Sequence, residues 1–94
     1  MRLKMIDQLT SEAYEEHTLW EFDQPETFQR ITTAGEEETT TDVIVKYAVM
    51  VQSDTNFFLF PAEESGRVVP GIIIGNHKAA TVTEFLQKLH IELW

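Results

Sequence analysis

Val43-Ile44-Val45-Lys46-Tyr47-Ala48-Val49-Met50-Val51-Gln52 decides the fold class of this chain. Five of these ten residues are β-branched, and no glycine or proline interrupts them, so the stretch predicts a strand. Period two puts Val43, Val45, Tyr47, Val49 and Val51 on one apolar face. Ile44, Lys46, Ala48, Met50 and Gln52 fall on a mixed one. The first face is predicted to point into the core.

Working outward, Ser53 to Asn56 supplies turn residues, and Phe57 to Phe60 reads as a second strand ending at Pro61, so 43–61 is predicted to be a hairpin. Arg67 to Ile74 reads as a third strand with a defect at Pro70-Gly71, which confines it to an edge or a bulge. Gly75 to Lys78 is then a loop. Val82, Phe85, Leu86, Leu89 and Leu93 form an apolar helical stripe, and Thr81 with Glu84 has the form of a capping box, so a helix is predicted from about residue 82.

The first third is more ambiguous. Thr18, Trp20 and Phe22 alternate with Leu19, Glu21 and Asp23 as in a strand, and Asp23-Gln24-Pro25-Glu26 either turns it into a second strand at 27–33 or starts a short helix at 25–31. Ile6, Leu9 and Ala13 are spaced for a short helix over 6–16. Ala34 to Asp42, with Gly35, three successive glutamates and three threonines, reads as a solvated loop, mobile from Gly35 to Thr41, whose last threonines can start the next strand. The predicted fold is therefore α+β: a curved antiparallel sheet of four or five strands with a C-terminal amphipathic helix packed on one face. A small barrel closed by that helix is the alternative.

Length and composition fit one domain spanning residues 1–94. The hydrophobic fraction of 43% lies far from that of disordered chains. Absence of cysteine removes disulfides, thiolate metal sites and thiol nucleophiles. Asp7, Gln8, Thr10 and Ser11 follow the basic start where a secretory signal needs an apolar run. The apolar run from Val68 to Ile74 is seven residues, against about 20 for a membrane span. The expectation is a cytoplasmic protein that does not enter a membrane.

Net charge is −9 and is polarised: residues 1–42 hold eleven acids and three bases, residues 43–94 five acids and four bases. Such a field repels nucleic acid backbones and anionic lipid, and attracts a basic protein.

Catalytic patterns are missing. His17, His77 and His90 lie in separate segments with no partner at metal-ligand spacing, and read as surface or half-buried imidazoles. Ser11, Ser53 and Ser65 sit in turn-like or cap-like contexts, none in a nucleophile elbow. No enzyme activity and no cofactor are expected.

Two binding features remain. Gly75, Lys78 and Thr81, before the predicted helix, form a candidate anion-binding loop. For a protein partner the candidates are Met50, Phe58 and Phe60, on strand faces without assigned cover, and the acidic Glu36, Glu37 and Glu38, joined by Glu12, Glu15 and Glu16. The function expected is a small protein-interaction module, an adaptor, inhibitor or regulatory subunit, binding a protein or a second copy of itself. The alternatives are a small-ligand or anion-binding domain, and an acidic mimic of nucleic acid directed at a basic protein.

Overall fold

A computed structural model describes residues 1–9 and 16–94. The chain runs β1 (Arg2–Leu9), β2 (Glu16–Ala34), β3 (Glu37–Ser53), β4 (Asn56–Ala62), β5 (Gly75–Lys78), α1 (Val82–Lys88) and β6 (Glu92–Leu93). All six strands join one sheet in the order β5-β4-β3-β2-β1-β6, antiparallel except for the parallel β1–β6 pair. The sheet curls into a half-barrel, with 66% of the described residues in strands and 8% in helix. The predicted α+β fold is thereby corrected: the protein is mostly β, with six strands and one helix of seven residues among the described residues.

Three local causes account for the difference. The first is at the helix end. Thr81 Oγ1 accepts from the Glu84 N–H at 3.1 Å, so the capping box starts the helix where predicted. His90 then enters the left-handed region (φ 57°), and the His90 and Ile91 N–H groups donate to the Gln87 and Leu86 carbonyls. That is a Schellman stop with Leu86 and Ile91 both buried behind it. The stripe therefore ends before Leu93, which lies in β6 and pairs with Leu3.

The second cause lies at Gly75. Pro70 and Gly71 (φ 84°) form a turn, so 67–74 is no strand beyond a single bridge from Val68 to Ala62, and the strand falls instead on Gly75 to Lys78. A Cβ on Gly75 would overlap the Leu89 side chain. Glycine here lets strand and helix approach closely; it does not mark a loop.

The third cause is the N-terminal half, where the strand readings of 18–23 and 27–33 hold as one long strand, while the helix alternative at 25–31, the helix reading of 6–9 and the loop reading of 34–42 do not. Residues 2–9 form a strand whose Leu3 is fully buried while Met5 and Ile6 are exposed, with a bulge between Met5 and Asp7. Ala13, part of the predicted helix, lies outside the described residues. Residues 34–42 are not a loop. Ala34 pairs with Glu37 across the two-residue turn Gly35-Glu36, with Gly35 at φ 66°, as a type II′ hairpin turn requires of its first central residue. β2 and β3 thus form one long hairpin.

That hairpin has an irregular point. Between the pairs Glu21↔Tyr47 and Glu26↔Val45, four residues of β2 face Lys46 alone on β3. Pro25, which has no N–H to give a ladder, sits in this bulge. The alternation of β3 changes phase there. Val43 and Val45 contact the cluster under the helix, which beyond Lys46 takes up Ala48 and Met50, while Tyr47, Val49 and Val51 turn to the opposite face. The single apolar face predicted for 43–51 is therefore split in two.

The larger cluster holds Leu3, Trp20, Phe22, Ala48, Met50, Phe57, Leu59, Phe85, Leu86 and Ile91, with the Phe57 and Phe85 rings stacked at 5.1 Å. The smaller one, on the other face, joins Leu19, Val49, Val51 and Ala62 to the half-buried Leu9, Tyr47, Phe58, Phe60 and Val68. Both faces of the sheet carry core.

Candidate functional site

The residues predicted to bind a partner do not share one surface. Antiparallel pairing sets Met50 opposite Leu59, and Val51 and Val49 opposite Phe58 and Phe60. Met50 is consequently buried under the helix, 3% exposed, and out of reach of a partner. Phe58 and Phe60 lie on the other face, half-buried, their rings parallel within 2° and 6.1 Å apart. From the sequence all three lie on strand faces without assigned cover, because which faces share a side of the hairpin is invisible until the register is known.

The anion-binding triplet also falls differently from its premise. Gly75 and Lys78 are strand residues paired with Leu59 and Asn56. At the helix start two of the donors are taken by the chain itself: Thr81 Oγ1 accepts the Glu84 N–H, and Glu84 Oε2 accepts from the Ala80 N–H at 3.1 Å. The carboxylate of Glu84 already stands where an anion would sit. Lys88 Nζ donates to the Lys78 carbonyl and lies 3.7 Å from Glu84 Oε1.

The histidines stay apart. His17 is buried on β2, His77 lies on β5 with its ring 6.4 Å from that of Phe85, and His90 caps the helix. Among the described residues no group of three or more His, Asp or Glu side chains is placed to hold a metal ion. A cavity of about 130 Å³ lined by Gln8, His17, Thr18, Met50, Gln52 and Val82 is below the several hundred Å³ of a small-molecule site.

Glu36, Glu37 and Glu38 give the most distinctive surface. Glu36 is in the turn, and Glu37 and Glu38 pair with Ala34 and Thr33 at the end of the β2–β3 hairpin. Glu12 and Glu15 lie outside the described residues, and Glu16 begins β2. From the bulge outward the hairpin is a two-stranded arm. Its rungs run from Thr27↔Ile44 to Ala34↔Glu37, and residues 31–42 are all exposed. β1 accompanies β2 only up to Phe22, and β4 accompanies β3 only from Tyr47 on. Among the described residues, both edges of the arm are therefore without a neighbouring strand.

Charge and side-chain chemistry vary around the arm. Residues 26–45 hold five acids, Glu26, Glu36, Glu37, Glu38 and Asp42, against one base, Arg30. One face carries Glu38, Thr40, Asp42 and Ile44, with Ile44 70% exposed. The other carries Phe28 and Val43, which reach back to the larger cluster.

The arm is braced at its base. Asp23, in the bulge, accepts from the Arg2 N–H at 3.3 Å and from Arg2 Nε at 3.2 Å, while its carbonyl takes the Lys46 ammonium at 3.1 Å. Desolvation pushes the Asp23 carboxyl pKa up, but the Arg2 N–H and guanidinium, with the N-terminal ammonium and the Gln24 N–H, together outweigh it and hold it below the usual carboxylate value. The Arg30 side chain packs over Gly71, whose missing Cβ leaves room for it. Tyr47, beside the joint, has its phenol pKa raised by desolvation and by the charges of Glu64 and Glu21.

No described helix is long and apolar enough to cross a membrane. Comparisons with known protein families, with curated proteins and with solved structures find no match to this chain.

Proposed function

We propose that this chain is a non-enzymatic protein-interaction module that engages a basic partner through its acidic β-hairpin arm. The observation that carries this is the arm itself: residues 31–42 are all exposed, bear Glu36, Glu37, Glu38 and Asp42, and are contacted at the base through Asp23 and Arg30. A chain gains little stability from so exposed a ribbon. Like-charged acids at its tip steer an oppositely charged partner and repel nucleic acid and anionic lipid.

The test is capture of partners from the native host by the wild-type chain and by the triple variant Glu36→Lys, Glu37→Lys, Glu38→Lys, followed by affinity measurement with the purified partner. The expected result is a basic protein whose affinity falls at least tenfold in the variant and falls steeply with salt. A partner that binds the variant equally well would remove the arm from the interface.

Self-association is the second reading, favoured by the parallel, half-exposed rings of Phe58 and Phe60. Light scattering at micromolar concentration tests it: a dimer that Phe58→Lys splits without unfolding supports it, and a wild-type monomer removes it.

A further inference from the structure

The two edges of the arm are not equivalent. Along β2 an incoming strand would meet Thr27, Phe28, Gln29, Arg30, Ile31, Thr32, Thr33 and Ala34, whose only charge is positive. Along β3 it would meet Glu37, Glu38, Thr39, Thr40, Thr41, Asp42, Val43 and Ile44, whose charges are all negative. Exposed edges are commonly blocked by lysine, by proline or by a bulge. Neither proline nor lysine occurs between Glu37 and Val45, and the pairing with β2 is unbroken from Ile44 to Glu37. The backbone pairing is thus regular, and residues 37–42 and Ile44 are exposed, with Val43 half-buried and Val45 buried at the base of the edge.

We infer that the outer edge of β3, residues 37–45, accepts an extended basic segment of a partner protein as an added β-strand. This rests on the function proposed above and names its mode. In strand addition the main chain supplies affinity and alternate side chains supply specificity. On the open face the alternate residues are Glu38, Thr40, Asp42 and Ile44. Cross-strand neighbours pair rung by rung, and opposite charges on one rung attract. The complementary segment carries lysine or arginine at two positions four residues apart, opposite Glu38 and Asp42, and an apolar residue two positions beyond the one facing Asp42. A second copy of the chain fits less well, since it brings its own three acids, Glu37, Glu38 and Asp42, to the same edge.

A synthetic eleven-residue threonine-rich peptide with two lysines four residues apart and an isoleucine two further on, made in both sequence directions, is the probe. Titration of the intact chain, followed by its amide NMR spectrum, is expected to shift and protect the amides of 37–45, leaving 27–34 and the Phe58–Phe60 region unchanged. Two N-methylated versions retain all charges while blocking alternate sets of peptide amides. The set facing the protein is expected to weaken binding at least tenfold and the other to leave it unchanged. Glu38→Gln with Asp42→Asn, checked for an otherwise unaltered spectrum, is expected to weaken binding at least tenfold and flatten its salt dependence.

Equal binding by both methylated peptides, shifts along β2 instead, or no binding at millimolar peptide would each overturn the inference. So would protection of 37–45 by self-association without peptide, which makes a second copy the occupant. The two levels separate cleanly: if methylation has no effect while charge reversal at Glu36 to Glu38 still releases the basic partner, the arm stands and strand addition falls. If charge reversal releases nothing, both fall.

Discussion

The same two strands build both the body of this protein and its arm, and almost nothing else is shared between the two. Below the Pro25 bulge, β2 and β3 lie between neighbours, and Trp20, Phe22, Ala48, Val49 and Met50 are each 5% exposed or less. Above it, no other strand lies beside them among the described residues; Phe28 and Val43 reach back to the core, but Ile31 and Ile44 are 63% and 70% exposed. Burial stabilises the body at roughly 25 cal/mol per Å² of apolar surface. The arm relies on backbone pairing, the β-propensity of its threonines, a glycine turn and two braces at its base. A region maintained at so little thermodynamic advantage is best explained by what it touches.

The sharpest way to test this contrast is to damage the body. Phe57 is fully buried and stacked on Phe85, so Phe57→Ala should cost about 3 to 5 kcal/mol by urea denaturation, as aromatic truncations in cores do. A loss below about 1 kcal/mol would mean that the sheet and helix do not share one core. Gly75→Ala comes next. Its Cβ would overlap Leu89, and the repacking should cost roughly 1 to 3 kcal/mol, with α1 amides exchanging faster.

The joint between the regions should respond to acid. The Asp23 pKa is depressed in the folded state. Its contribution to stability is therefore present above the unfolded carboxylate pKa, about 3.9, and is lost as pH falls through the folded value. Asp23→Asn should remove that part of the acid-limb slope while leaving the neutral and alkaline limbs parallel to wild type. An unchanged slope would show that Arg2 and Asp23 are not coupled in solution.

The smallest effect should come from the arm's end. Deleting Thr32, Thr33, Glu38 and Thr39 removes two rungs, keeps every remaining side chain on its face, and should shift the unfolding free energy by less than about 1 kcal/mol, because no buried residue is lost. A larger loss would show that the tip supports the core, and the division into body and arm would fail.

The same division marks where the sequence is legible. Val43 to Gln52 and Phe57 to Pro61 are readable as strands because burial selects β-branched and aromatic residues there, and Thr81 with Glu84 announces the helix start. The arm is misread because solvent exposure erases hydrophobic alternation. Ala34 to Asp42 has loop composition, yet its threonines are strand formers and Gly35-Glu36 is a two-residue hairpin turn. Glu36, Glu37 and Glu38 were thus identified as a candidate surface without the hairpin that presents them. Met50 was misplaced by a register that only the Asp54-Thr55 turn fixes, and by the phase change at Lys46, which no residue there announces. Gly75 misled because a glycine required for close packing looks the same in sequence as one required for a turn. The stop at His90 carries no signal, since glycine is the usual residue in that conformation.

The parallel pair of β1 and β6 has a consequence for how the chain is made. Arg2 and Leu3 align with Glu92 and Leu93, and Leu3 and Ile91 belong to the same buried cluster. Contacts that enclose nearly the whole chain carry the largest loop-closure entropy and are slow to form. During synthesis β1 can pair with β2 early, but its other edge, and the apolar surface around Leu3, wait for residues 91–93, which are made after everything they pack against. The nascent chain therefore carries an unsealed core until α1 and β6 emerge, and that interval is when it is most exposed to aggregation.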